Sequence, residues 1–182
     1  MLLIAISASN LAAAPIALSQ QPAGNSGSEP APNVIISVDN SGSMAEDKDG
    51  NTGSITAANP TKMTSLKAAL TSQFITLDAA GNPRVPNNRI RLAWQSMWVN
   101  TGGVAGSDSL TLGATNSMKR LDNTHRANFA TFVTALRAAN GTPSHRMMNN
   151  AYNYMKSPAG VNSPWADNPG IAQTTDYLAC RR

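Results

Sequence analysis

The sequence has little charge, few aromatic residues and a single cysteine. Charged residues make up 13% of the 182 positions and aromatic residues 5%. Cys180 has no second cysteine within the chain, so the core must be stable without an internal disulfide. The net charge of +4 is carried by scattered Lys and Arg, without the basic stripe interleaved with aromatic residues that nucleic-acid binding requires. No apolar run is long enough to span a bilayer, so we expect no integral membrane segment.

The remaining composition is that of one exported globular domain. Hydrophobic residues supply 41% of the chain, which at this length suffices for one domain with its own core. Residues 1–13 are apolar and end in small residues. We interpret them as a secretory signal without its basic start, or alternatively as a buried amino-terminal strand or helix. Residues 14–32 are rich in Pro, Gly, Ser and Asn and are predicted to be a linker. We therefore predict export and assign residues 33–182 to the domain.

A short apolar run followed by a polar loop is the most informative feature. β-Branched residues dominate positions 34–38, as in a strand that is covered on both faces. Asp39, Ser41 and Ser43 follow in the pattern Asp-x-Ser-x-Ser, and Gly42 permits a tight turn. Ligands of open α/β sheets bind at the carboxyl ends of strands, and carboxylate and hydroxyl oxygens suit a hard divalent cation. The motif predicts a site for Mg²⁺, Mn²⁺ or Ca²⁺; the alternative is a solvated turn.

The run PNVIISVDNSGSM resembles the start of the metal ion-dependent adhesion site in von Willebrand factor A domains. Within that superfamily, the segments APIALSQQ, NGTPSHRMMNNAYNYM and YLACRR are similar to the amino-terminal domain of the PilY-type proteins of bacterial type IV pili. The resemblance implies a doubly wound (Rossmann-like) α/β fold. It also implies that Ser41, Ser43 and Thr142 bind the cation directly, that Asp39 does so directly or through water, and that a partner's Asp or Glu fills the open position.

The resemblance implies a function without catalysis. The expected protein is a cation-dependent adhesion or recognition module at a pilus tip, with a role in pilus assembly. Its implied partners are pilins, minor pilins or a host-surface protein. Its implied location is the periplasm, outer surface or pilus tip of a Gram-negative bacterium. Two alternatives stay open. One is a hydrolase that uses His145 with Ser and Asp residues, although no Gly-x-Ser-x-Gly motif is present. The other is a structural assembly part that another chain completes.

A third loop of the family's site, a strand ending in Thr-Asp-Gly, has no counterpart in the sequence. Thr175-Asp176-Tyr177 follows no apolar strand and precedes no Gly. The resemblance therefore implies a domain truncated at its carboxyl end, with weak cation binding and an open edge on the first strand. Cys180 is then either a small buried residue or the partner of a cysteine beyond Arg182, and the resemblance to a longer protein favours the second.

Hydrophobic spacing predicts three helices and two further strands. A helix from Thr64 to Gly81 has one apolar stripe, formed by Leu66, Leu70, Phe74 and Leu77. The run RIRLAWQSMWV predicts the second strand, with Trp94 and Trp98 as packing residues. A short edge strand is predicted around Leu110–Leu112, and the first strand is expected at the centre of the sheet.

The second helix is predicted to begin with Asn123 or Thr124 as N-cap and to end at Asn140-Gly141. Its four apolar residues at helical spacing are Phe129, Phe132, Val133 and Leu136. Pro143 suits the first turn of a third helix with Thr142 or Ser144 as N-cap, so Thr142 also has a purely structural interpretation. The expected core face of that helix is Met-rich and consists of Met147, Met148, Ala151, Tyr152 and Met155.

The segment 45–60 is predicted to be a flexible hydrophilic loop near the site. Its Asp47, Asp49 and Asn51 match the start of a calcium loop only weakly, because Thr52 stands where the central Gly belongs and the closing Glu is absent.

Overall fold

A computed structural model describes residues 31–53, 55–98, 110–139 and 141–166, which form helices around a small mixed sheet. The elements in chain order are β1 (Asn33–Val38), α1 (Lys62–Leu70), β2 (Arg91–Ser96), β3 (Lys119–Arg120), α2 (Asn123–Ala135) and α3 (Ser144–Met155). A 3-10 turn covers Gly42–Ala45, and a π turn at Thr71–Ile75 follows α1. This part of the chain is of the α/β class, as the sequence predicts.

The predicted export segment, most of the linker, Thr175-Asp176-Tyr177 and Cys180 lie outside the described residues. Within the described ranges, no helix combines the length and the apolar character needed to cross a membrane.

The sheet has the order β1-β2-β3, and β1 runs parallel to β2. Val38 pairs with Ser96, so both strands end at the same edge of the sheet. β2 lies between the other two strands and all its residues are buried. β1, which we expected at the centre, lies at one edge of the described sheet, and three of its apolar residues are only half-buried: Val34, Ile35 and Ile36.

Helices cover both faces of the sheet. On one face, α1 and α2 pack on alternate residues of β1 and β2, around Trp94 and Phe129, whose ring centroids are 5.2 Å apart. On the other face, α3 packs on Ala93 through Tyr154. The apolar residues predicted for the second helix are all buried, as expected: Phe129, Phe132, Val133 and Leu136.

The third strand is not at Leu110–Leu112, so that prediction is wrong. β3 is Lys119–Arg120 and runs antiparallel to β2. Residues 111–117 form turns, with Gly113 at a φ of 74°. Leu110 is buried from a loop, whereas Leu112 is 46% exposed. In a strand Leu110 and Leu112 would lie on the same face, whereas the turns that follow Leu110 leave one Leu buried and the other exposed.

The first helix begins and ends earlier than predicted. Thr61 is its N-cap, and the π turn that follows is closed by the Thr76 N–H, which donates to the Thr71 carbonyl at 2.8 Å. Leu77 lies beyond this turn and is 52% exposed, so its predicted place in the apolar stripe is wrong. The other members of the stripe pack on the core as predicted: Leu66, Leu70 and Phe74.

The second helix also has different ends. Asp122, rather than Asn123 or Thr124, is the N-cap, and its Oδ1 accepts the His125 N–H at 2.7 Å. The helix ends at Ala135 rather than at Asn140-Gly141, because the next residues are drawn into contact with the loop that follows β1.

The third helix buries a narrower face than predicted. Met147 is buried, but Met148 and Tyr152 are 61% and 60% exposed. Tyr154 takes their place in the core, and its hydroxyl accepts the Met118 N–H at 2.6 Å. A helix that rests on one sheet face buries a single stripe, so side chains on its outer side remain in water.

Candidate metal centre

Three loops meet where β1 and β2 end. The Met97 N–H donates to the Val38 carbonyl at 3.2 Å, which continues the pairing of the two strands into their loops. The Ala139 N–H donates to the Asn40 carbonyl at 2.9 Å, which brings the α2–α3 connection to the same edge. In open α/β sheets, this is the edge at which ligands bind.

Asp39, Ser41 and Ser43 form one compact loop, as the motif predicts. The Ser41 N–H donates to Asp39 Oδ1 at 2.8 Å, which folds the backbone over the carboxylate. The hydroxyl oxygens of Ser41 and Ser43 lie 3.3 Å apart. Ser41 is buried, Asp39 is half-buried and Ser43 is exposed, so a ligand reaches the hydroxyl pair from the side of Ser43.

Thr142 lies in the α2–α3 connection, which is called the loop of Thr142 below. It is exposed, and its carbonyl accepts the Ser144 N–H at 2.9 Å. Pro143 is the N-cap of α3 and no side chain caps that helix, so neither Thr142 nor Ser144 has the alternative capping role. The structure brings the loop of Thr142 to the edge that carries Asp39, but in the described part the Thr142 hydroxyl makes no hydrogen bond to the first loop.

Asn40 connects the three loops, and the sequence did not single it out. This side chain is 1% exposed. Its Nδ2 donates to the Trp98 carbonyl and the Arg137 carbonyl, each at 3.2 Å, and its Oδ1 accepts the Trp98 N–H at 3.0 Å. Asn40 occupies a variable position of the Asp-x-Ser-x-Ser pattern, and the partners it binds are distant in sequence. Spacing along the chain therefore carried no signal for its role.

Trp98 adds a second connection beside the site. Its indole Nε1 donates to the Gly141 carbonyl at 2.7 Å. The Arg146 guanidinium lies 5.2 Å from the centre of the Trp98 ring and donates to the Met97 carbonyl at 2.9 Å. Trp98 is half-buried in a loop, whereas Trp94 is a core residue as predicted.

Asp47 organises the loop that follows the motif, so the predicted flexible hydrophilic segment has an ordered centre. Its Oδ1 accepts the backbone N–H groups of Asn51 at 2.8 Å and of Asp49 at 3.0 Å, and its Oδ2 accepts the Asn59 amide at 2.7 Å. The bond from Asn51 is the main reason that the pKa of Asp47 is below its usual value, and burial acts in the opposite direction. The hydrogen bonds of the Asp47 carboxylate therefore stabilise the loop in which it lies.

The chemistry of the first loop fits a hard divalent cation. Within the described ranges, no group of three or more His, Cys, Asp or Glu side chains is placed to hold a metal, so a cation here would depend on hydroxyl oxygens. Two oxygens at right angles on one ion lie about 2.9 Å apart around Mg²⁺ and about 3.3 to 3.7 Å apart around Ca²⁺. The 3.3 Å between the Ser41 and Ser43 hydroxyls lies within the separation for Ca²⁺ and is longer than the separation for Mg²⁺.

The other candidate chemistry is less well placed. His145 is exposed on α3 and forms no ion pair with a carboxylate among the described residues. A surface cavity of about 270 Å³ lies beside Lys119, Asp122 and His125. Lys119 pairs with Leu92 near the start of β2, so this cavity is at the opposite end of that strand from the three loops.

Comparison with known proteins found no relative: no family model, curated protein or solved structure matches the chain.

Proposed function

We propose that this chain is a divalent-cation-dependent adhesion or protein-recognition module with a von Willebrand factor A-like fold, of the kind found in PilY-type proteins of type IV pili. In this proposal the protein is exported and acts at the pilus tip, the outer surface or the periplasm of a Gram-negative bacterium. Its partner is a pilin, a minor pilin or a host-surface protein that presents an acidic side chain. Catalysis is not part of the role.

The arrangement of the elements supports a doubly wound fold. β1 and β2 are parallel and joined through α1, helices lie on both faces of the sheet, and the antiparallel β3 is at one edge. Open sheets of this class commonly have an antiparallel strand at the edge of an otherwise parallel sheet. In such folds the ligand site lies where the strands end, which is where the Asp-x-Ser-x-Ser loop lies here.

The observation that carries the proposal is the paired hydroxyls of Ser41 and Ser43 beside the Asp39 carboxylate at this edge. A bound cation would supply the positive charge that attracts a partner's carboxylate. Ser41 and Ser43 would hold the ion with Thr142 from the next loop, and Asp39 would hold it directly or through water. One carboxylate leaves the ion with net positive charge, which favours an acidic partner.

The first test is the thermal response to Mg²⁺, Mn²⁺ and Ca²⁺. A cation at ten times its dissociation constant stabilises the folded protein by about 1.4 kcal/mol, because it binds the folded state alone. Asp39→Ala should remove this stabilisation. Asp78→Ala is the matched control, since Asp78 Oδ1 also accepts backbone N–H groups, from Ala80 and Asn82, in a different loop. An Asp39→Ala variant that retains the full cation response would refute the site.

We expect weak binding by this chain alone. One carboxylate and a few hydroxyls supply little negative charge for Mg²⁺, an ion that loses its water reluctantly. Calorimetric titration of the chain, with and without a following segment that contains the third loop, measures the difference. Equal affinities would mean that the described loops already form the complete site.

A structural assembly role is a second candidate, and the position of β1 favours it. Among the described residues β1 pairs with β2 alone, and three of its apolar residues are only half-buried. Such an edge can accept a strand from another chain. Light scattering combined with size-exclusion chromatography would test it, because a monomer at high concentration is incompatible with self-pairing at this edge.

A further inference from the structure

Asn40 lies between two residues of the proposed cation site and is bonded to both neighbouring loops. It precedes Ser41 and follows Asp39, so its backbone belongs to the first loop. Its side chain contacts the backbone of Trp98 and Arg137, and its carbonyl accepts the Ala139 N–H at 2.9 Å. The segment that leads to Thr142 is therefore held to the first loop by one residue.

We propose that Asn40 is a positioning residue that sets the spacing between the Ser41–Ser43 hydroxyls and the loop of Thr142 before a cation binds. This inference rests on the proposed function, since it concerns the same site. What it adds to the proposed function is that the first loop and the loop of Thr142 are coupled through Asn40. Asn40 acts through other residues and does not touch the ion.

The chemistry of the amide explains why an asparagine serves here. Its Nδ2 donates to two carbonyl oxygens and its Oδ1 accepts one N–H. A carboxylate of the same shape has no hydrogen to donate, and its buried charge would face the carbonyls of Trp98 and Arg137. An alanine would leave two carbonyls and one N–H without these partners. The side chain is thus matched in donors and acceptors to both loops.

A loop held in place before binding raises affinity, because the ordering cost does not have to be met when the ligand arrives. Without the Asn40 side chain, the loop of Thr142 would lose its bond at the Arg137 carbonyl but keep two described bonds, from the Ala139 N–H to the Asn40 backbone carbonyl and from Trp98 Nε1 to the Gly141 carbonyl. Cation binding would then have to order that loop further. Removing residues that orient metal ligands typically lowers affinity about 10- to 100-fold.

The test compares Asn40→Ala with Asn116→Ala. Asn116 is a matched control because it is also buried and also donates its Nδ2 to a tryptophan carbonyl, that of Trp94 at 3.0 Å, in the middle of β2. Both variants lose a bond from a buried amide to a tryptophan carbonyl, but only the bonds of Asn40 connect loops of the proposed site. We expect Asn40→Ala to weaken Mn²⁺ and Ca²⁺ binding at least about tenfold and Asn116→Ala to leave it within about twofold. Equal effects from both variants would overturn the proposal.

A double-mutant cycle with Thr142→Ala separates positioning from a general loss of stability. If Asn40 acts through the loop of Thr142, then Asn40→Ala adds little to the loss of cation affinity that Thr142→Ala causes. Additive losses would overturn the inference. Asn40→Ser, a milder truncation, replaces Asn40→Ala in the cycle if the alanine variant does not fold.

Hydrogen exchange without cation distinguishes failure of this inference from failure of the proposed function. Amide exchange in residues 136–139 should accelerate in Asn40→Ala and not in Asn116→Ala. Unchanged exchange would refute the coupling even if the protein binds cations. Accelerated exchange in a protein whose wild type shows no cation response would refute the proposed function, and with it the role of Asn40 at a cation site.

Discussion

Protonation of His125 in the unfolded chain should lower the stability of this protein at pH values well above those at which carboxylates titrate. This imidazole is 2% exposed and lies against Trp94, with the ring centroids 4.7 Å apart. Its Nε2 is 2.8 Å from the Leu92 carbonyl, an acceptor, so the neutral ring carries its hydrogen on Nε2. In the described part of the chain Nδ1 has no hydrogen-bond partner. Protonation would therefore place an unpaired charge in the core.

Burial lowers the pKa of His125 from 6.5 to about 4, although the bond to the Leu92 carbonyl acts in the opposite direction. The unfolded chain thus binds the proton between pH 6.5 and pH 4 while the folded chain does not. Stability is complete above pH 6.5 and declines as the pH falls towards 4. At about 1.4 kcal/mol per pH unit the full loss is roughly 3 kcal/mol, of which about 2 kcal/mol occurs between pH 7 and pH 5.

Urea denaturation at pH 7, 6 and 5 measures this slope, and a thermal scan should show a fall of about 4 to 8 °C in Tm over the same interval. His125→Gln should lose the slope, whatever its stability at pH 7. His145→Gln is the control, because His145 is the only other histidine and is exposed on α3. A slope that persists in His125→Gln and disappears in His145→Gln would refute the reasoning.

Two further perturbations test how the helices are held. Asp122→Ala should destabilise the protein by about 1 kcal/mol, because the N-cap bond to the His125 N–H is lost, whereas Asn123→Ala should have a smaller effect in the same urea titration. Tyr154→Phe should cost about 1 to 3 kcal/mol, since the buried Met118 N–H loses its acceptor. In that variant, hydrogen exchange at Met118 should accelerate, and an unchanged rate would mean that another acceptor replaces the hydroxyl.

Much of the candidate site could be predicted because its geometry is local. The turn from Asp39 to Ser43 depends on residues within it: the Asp39 carboxylate accepts the N–H of Ser41, two residues later, and Gly42 permits the tight turn. The strand that leads into this turn is also encoded locally, by its β-branched residues. The core face of α2 was also predictable, because residues spaced three and four apart share one side of a helix. Neither inference needs to know what packs against these segments.

The positions of the loops around the site were decided by tertiary contacts. Asn40 meets Trp98 and Arg137 from 58 and 97 residues away, and these bonds bring the α2–α3 connection to the ends of β1 and β2. That connection leaves the helical path after Ala135, although the sequence places its stop signal at Asn140-Gly141. Hydrophobic spacing and turn residues are signals between residues that are close in sequence. The hydrogen-bond partners of a buried amide are instead backbone groups that the fold brings close in space, and these can be distant in sequence. The sequence by itself therefore determined which oxygen atoms the first loop presents, and only the tertiary structure decided that the loop of Thr142 comes to the same edge of the sheet.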